Sequence, residues 1–162
     1  MSYAIVYSSR TGNTELLAGA IRESLDPADC LYFGRPDPQA LTADQIYLRF
    51  WTDKGSCDEE TAAFLPLLTD QRVFLFGTAG FGGAPAYFDG ILSRVRGLLP
   101  ETARVTGSFM CQGKMPLSVR RRYETMPDSP RRTAMLANFD QAVSRPDGQD
   151  LADLKAAVTR AD

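Results

Sequence analysis

Seven consecutive residues near the start of the chain, Ser8-Ser9-Arg10-Thr11-Gly12-Asn13-Thr14, are rich in groups that hold an anion, and five of them carry short polar side chains. They follow a short apolar run, Tyr3-Ala4-Ile5-Val6-Tyr7, and open a helical pattern carried by Leu16, Leu17, Ala20, Ile21 and Leu25. A strand that turns directly into a helix leaves backbone N–H groups without partners, aimed at one spot, and the helix dipole adds partial positive charge there. Phosphate binding is the chemistry such a turn suits. A Walker loop requires G-x-x-x-x-G-K-[ST] and the dinucleotide fingerprint requires G-x-G-x-x-G; neither stands at this turn. What stands there is S-x-T-G-N-T. An ordinary helix cap needs only one hydroxyl, and that plainer reading stays open beside the phosphate one.

Three further stretches carry residues suited to a ligand. Trp51-Thr52-Asp53-Lys54-Gly55-Ser56-Cys57 holds the only tryptophan, and its Asp53-Lys54-Gly55 reads as a tight turn in which glycine permits positive φ. Trp51 can equally cap the core at a strand end. Gly77-Thr78-Ala79-Gly80-Phe81-Gly82-Gly83 has four glycines in seven residues, which lets backbone approach a flat ligand closely, or else makes a long flexible turn. Met110-Cys111-Gln112-Gly113-Lys114-Met115 offers Gln112 and Gly113 toward the same region, with Lys114 either offsetting a negative charge or simply solvated.

These stretches must be positioned by a scaffold, and the apolar runs supply one. Strands are expected near Tyr3–Tyr7, Asp29–Phe33, Gln45–Phe50, Val73–Phe76 and Val105–Met110. Helices are expected over about 13–25, from Asp58 through Leu68, over Tyr87–Val95 closed by Gly97, near Thr133–Val143, and over Leu151–Val158. The segment between Lys114 and the Thr133 helix reads as irregular. Alternating strand and helix patterns imply an α/β fold around a parallel sheet. The wholly apolar Val73-Phe74-Leu75-Phe76 is expected to be a central strand covered on both faces. A doubly wound sheet gathers its ligand loops at the carboxyl ends of its strands. The 162 residues fit one domain.

Composition narrows the chemistry. There is no histidine, which removes Ser-His and Cys-His catalysis and most zinc sites. Net charge is −2, so no global field favours nucleic acid. The three cysteines, Cys30, Cys57 and Cys111, are odd in number and widely spaced, with no C-x-x-C. Cys57 falls at an expected helix start, where a thiol pKa can drop. Cys111 lies in another site loop, so a redox pair is conceivable, though such pairs are rare in the cytosol. No run of eighteen apolar residues and no leader pattern is visible, so a cytoplasmic protein without a membrane span is expected. From Lys114 to Arg132 six basic residues face two acidic ones, and Arg120–Arg132 reads as a solvated surface or as a docking patch for an acidic redox partner. No aromatic interleaving accompanies these arginines, so nucleic acid is not expected.

S-x-T-G-N-T directly after the first strand resembles the FMN phosphate loop of the flavodoxin family, which reads [ST]-x-T-G-x-T and binds its phosphate largely with neutral donors. The glycine-rich loop also resembles that family's second ring-binding loop, which follows a strand ending in F-G and precedes a tyrosine, here Tyr87. The run F-W-x-D-K-G together with C-Q-G-K is similar to a subgroup of small bacterial flavodoxin-like proteins, some of which accompany flavin reductases, including the bilirubin reductase system. The resemblance implies a three-layer sandwich whose five-stranded parallel sheet runs in the order 2-1-3-4-5, with FMN as cofactor. It implies a phosphate site of Ser8, Ser9, Arg10 (by its backbone), Thr11, Gly12, Asn13 and Thr14. Around the ring it implies Trp51, Thr52, Asp53, Lys54, Gly55, Thr78, Ala79, Gly80, Phe81 and Gln112, with Phe81 or Tyr87 as an outer stacking ring. The family's acidic residue after the glycines is absent, since Phe81 and Gly82 stand there. The implied function is electron transfer between redox partner proteins. An FMN-dependent NAD(P)H reductase acting on a small substrate is the alternative, and a non-redox relative that has lost its flavin is a third.

Overall fold

The computed structural model describes residues 1–8, 13–82 and 84–161, with the backbone alone at residue 14. Its strands are β1 (Tyr3–Tyr7), β2 (Cys30–Gly34), β3 (Gln45–Asp53), β4 (Ser56–Cys57), β5 (Arg72–Ala79) and β6 (Arg104–Gln112). Its helices are α1 (Asn13–Ser24), α2 (Glu59–Phe64), α3 (Pro85–Arg96), α4 (Leu117–Glu124), α5 (Pro130–Ala142) and α6 (Gly148–Arg160). Five strands pair in parallel in the order β2-β1-β3-β5-β6, which is the expected 2-1-3-4-5 order. The two-residue β4 is an addition that sequence reading missed; it folds back on the end of β3 as an antiparallel hairpin, Thr52 opposite Cys57 and Asp53 opposite Ser56.

Alternation along the central strands builds the two cores. Ala4, Val6, Ile46, Leu48, Phe50, Val73 and Leu75 face one side and pack with Phe64, Leu65, Ile91 and Val95 from the α2 and α3 region. Tyr3, Ile5, Tyr47, Phe74 and Phe76 face the other and meet Leu17 and Ile21 of α1 and Leu154 and Val158 of α6. β5 is buried on both faces, as its unbroken apolar run requires. Phe74 and Phe76 are fully buried, and each such side chain stabilises the fold by roughly 1.5–3 kcal/mol.

The chain's ends of elements are chemically marked. Asp58 caps α2 by accepting from the Thr61 N–H at 3.0 Å, with Glu59 and Glu60 in the first turn suiting the helix dipole. Asp147 and Asp150 form a capping box at the start of α6, and Arg145 clamps Asp150 through two hydrogen bonds of 2.6 and 2.7 Å. The stretch expected to be irregular contains α4, which packs on α5.

Candidate functional site

Where β3, β5 and β6 end, their loops converge. The loop of the β3–β4 hairpin is Lys54-Gly55, both at positive φ (51° and 79°), the geometry of a two-residue turn that matches strand twist. The expected tight turn is therefore present, and it puts Trp51, Thr52, Asp53, Lys54 and Gly55 on one wall of a cavity of about 480 Å³. Cavities that take small molecules run from roughly 300 to 1,000 Å³. Arg94 of α3 donates to the Gly55 carbonyl at 2.9 Å and steadies the turn.

The second wall is the end of β5 and its loop, Thr78, Ala79, Gly80 and Phe81, joined by Tyr87 of α3. Thr52 crosses between these walls, its hydroxyl donating to the Thr78 carbonyl at 2.8 Å. The Gly80 carbonyl is held from the other side by the amides of Gln112 and Asn138, each at 3.0 Å. That pair explains why Gln112 stands apart from the other expected ring residues. Its side chain is spent bracing the loop from behind, and it does not line the cavity.

The third wall follows β6. Gly113, Lys114 and Met115 lead into Pro116, Ser118, Val119, Arg122 and Tyr123 of the α4 segment. Sequence reading missed this helical wall. Close packing explains two of the glycines. A Cβ on Gly113 would stand 2.7 Å from Thr78 Cβ and 2.9 Å from Asn13 Nδ2, and one on Gly80 would collide with the Met115 thioether.

The fourth contribution comes from α1. Asn13, its buried first residue, lines the cavity and donates through Nδ2 to the Lys114 carbonyl at 2.9 Å. Ser8, at the end of β1, is also buried. Its hydroxyl lies 3.2 Å from Thr61 Oγ1, which itself donates to Asp58 at 2.9 Å, so Ser8 is the donor of the first contact. Asp58 in turn accepts the Trp51 backbone N–H at 3.1 Å. A hydrogen-bonded chain thus links the entrance of the β1–α1 turn to the base of the tryptophan wall. Ser9, Arg10, Thr11 and Gly12 of the expected phosphate turn lie outside the described residues, as does the side chain of Thr14.

Beneath these loops is a residue that in the sequence reads only as part of a strand. Arg49 of β3 is 1% exposed; it donates through Nη1 to the Ser8 carbonyl and through Nη2 to Thr78 Oγ1, both at 2.9 Å. Burial pulls its pKa down to about 10, with the field of Asp58 acting the other way, so it is charged at neutral pH. The signal available was a lone arginine between Leu48 and Phe50 in an otherwise apolar strand.

The cysteines depart from expectation. Cys57 ends β4 and directly precedes Asp58, the cap of α2, as expected, but burial raises its thiol pKa to about 11 where a helix start could have lowered it. Burial raises Cys111 to about 12. The two belong to cores on opposite faces of the sheet, so they do not form a redox pair. Among the described residues no group of His, Cys, Asp and Glu is arranged to hold a metal.

A doubly wound sheet in this strand order, with a cavity at its strand ends lined by Asn13 of α1 and by loops carrying aromatics and glycines, is the flavodoxin-like architecture. The family model for the flavodoxin domain matches residues 4–159, so the chain belongs to the flavodoxin family. It is 41% identical over 173 residues to the flavodoxin-like domain-containing protein BilS of Clostridium symbiosum, covering 94% of this chain and 91% of that one. The BilS protein of Clostridioides difficile is 30% identical over 159 residues, covering 93% and 90%. A point mutant of the Pseudomonas aeruginosa flavodoxin has the same fold, with TM-score 0.51 at 18% identity over 86% of this chain and 99% of that one.

Proposed function

We propose that this protein binds one FMN in the cavity at its strand ends and passes electrons between redox partner proteins. The observation that carries the reading is the convergence of Asn13, the Trp51–Gly55 turn, the Thr78–Phe81 loop and the α4 wall on that one cavity. Its residues fit such a group: glycines at 80 and 113 keep backbone close, and aromatic and polar side chains share the lining. The turn of Ser8, Ser9, Arg10, Thr11, Gly12, Asn13 and Thr14 would hold the phosphate. Trp51, Thr52, Asp53, Lys54, Gly55, Thr78, Ala79, Gly80 and Phe81 would enclose the ring. Bound FMN supplies the redox chemistry, while the protein supplies position and field.

Exposure and charge around the rim support a partner-facing role. Phe81 and Tyr87 are partly open at the mouth, and Leu117 of α4 is exposed beside it. Within Arg120–Arg132, Arg120 is bound to Glu124 and Asp140, and Arg132 donates to the carbonyls of Tyr123 and Glu124. Arg121, Arg122 and Arg131 have no ion pair among the described residues, so they are the charges we assign to an acidic partner. The free thiols suit a reducing compartment, and a cytoplasmic site of action is part of this reading. No helix of the described residues is long and apolar enough to cross a membrane.

Anaerobic mixing of the FMN-loaded protein with NADH or NADPH tests the carrier role. The flavin absorbance is expected to bleach only after a flavin reductase is added. Rapid bleaching by the nicotinamide alone would establish the direct reductase instead.

A further inference from the structure

The outer edge of the sheet carries a second surface with its own chemistry. β6 pairs with β5 along one side, and among the described residues no strand pairs with its other side. The Gly113 N–H donates to the Ala79 carbonyl, so by strand alternation Ser108, Met110 and Gln112 turn their backbone N–H and C=O groups away from β5. Such an edge is a template for a further strand. β6 contains no lysine or proline to blunt it, and the one irregularity in its ladder with β5 lies near its start. Beside its second half, between α3 and α6, runs a groove of about 510 Å³ lined by Phe88, Leu92 and Met110 and bordered by Asp89 and Asp153. None of the residues lining this groove lines the cavity at the strand ends.

The two helices that flank this edge carry the same charge pattern. α3 has Asp89 and, seven residues on, Arg96; α6 has Asp153 and, seven residues on, Arg160. Seven residues make about two helical turns, so the acid and the arginine share a face on each helix. All four residues are exposed, and among the described residues none of them makes an ion pair. Both acids border the second half of β6. Both arginines lie nearer its start: Arg96 donates to the Ser108 hydroxyl at 3.2 Å, and Ala161, next to Arg160, sits where a Cβ on Gly107 would stand 3.0 Å from it. The edge is thus acidic toward one end and basic toward the other, on both of its flanks. A surface of that kind complements itself when turned end for end. We infer that the β6 edge is the two-fold interface of a homodimer. An axis beside the middle of β6 runs the two copies of the strand antiparallel. It sets Asp89 against Arg96 of the second copy and Asp153 against Arg160 of the second copy, and it covers the groove. One sheet continues through both copies, and the interface uses none of the residues that line the strand-end cavities.

Sedimentation equilibrium of the purified protein tests this. Wild type is expected at twice the single-chain mass. Asp89→Arg with Asp153→Arg makes all four flanking charges basic, and Arg96→Asp with Arg160→Asp makes all four acidic. Each double variant alone is expected to lose the dimer through like-charge contacts, and an equimolar mixture of the two is expected to regain it. A wild type that stays monomeric at sub-millimolar concentration would overturn the inference. So would a dimer that persists in either double variant alone, or a mixture that stays monomeric. Should a variant not fold, hydrogen exchange of the wild type decides. The Ser108 and Met110 amides are expected to exchange slowly in the dimer and faster after dilution to the monomer, and equal exchange in both would overturn the assignment of this edge.

Discussion

The Asn13 side-chain amide donates to the Lys114 carbonyl at 2.9 Å, tying the first turn of α1 to the loop after β6 across 101 residues of chain. This bond joins the α1 wall of the cavity to the Lys114 segment that leads into α4. Asn13→Ala removes it and leaves the Lys114 carbonyl without that donor. The expected cost is about 1 kcal/mol of stability, read by urea unfolding, together with weaker FMN binding as the α4 wall loosens.

Two glycines near the site are expected to respond differently to the same change. A Cβ on Gly77 would stand 2.7 Å from the Phe50 ring, which is fully buried and has no room to move. Gly77→Ala should therefore destabilise the fold by about 1–3 kcal/mol. At Gly80 the collision is with the flexible end of Met115, which can swing aside. Gly80→Ala should leave the melting temperature near wild type while pressing Met115 into the cavity and lowering FMN affinity. Thermal melts beside a flavin titration separate the two effects.

The cavity lining carries Lys54, Lys114 and Arg122 against the single acid Asp53 among the described residues. Positive charge near the ring favours the reduced, more negative flavin. Replacing Lys114 or Arg122 with Glu is expected to shift the flavin potential negative by a few tens of millivolts, the scale of an exposed charge. Spectroelectrochemical titration of the loaded variants reads this directly, and an unchanged potential would remove these charges from the account.

The buried thiols set an alkaline limit. Cys57 and Cys111 have pKa values raised by burial to about 11 and about 12. A raised pKa means that the folded state holds the proton more tightly than the unfolded chain. Stability from this source is complete below the ordinary thiol pKa, about 8.5. It falls as pH rises above that value, as the unfolded state ionises, and is gone past the folded pKa values. Denaturant unfolding from about pH 8 to 11 should show this decline, and a Cys57→Ala, Cys111→Ala double variant should flatten it.

Much of the scaffold was legible because its signals are periodic. The apolar run of β5 and the strand-to-helix switch after Tyr7 determine a parallel sheet with its ligand loops at one end. The parts that escaped reading have weak local signals. α4 reads Leu-Ser-Val-Arg-Arg-Arg-Tyr-Glu, is only eight residues long with three consecutive arginines, and buries only Tyr123, so its apolar signal is weak. β4 is two residues long and exists because the Lys54-Gly55 turn returns the chain onto β3. The direction of Gln112 toward Asn138 depends on α5, far along the chain, and could not be read from the C-Q-G-K run. Arg49 was visible as a break in the apolar pattern, but its meaning depends on Ser8 and Thr78, which only the sheet order brings beside it.

The central claim is that one cavity at the strand ends takes FMN. Titration of the apo-protein into FMN, followed by fluorescence and by the visible absorption bands, tests it most directly. Saturable quenching at one FMN per chain with a perturbed flavin spectrum is the expected result. Fluorescence and absorbance that remain those of free FMN, at protein concentrations well above the flavin, would contradict it.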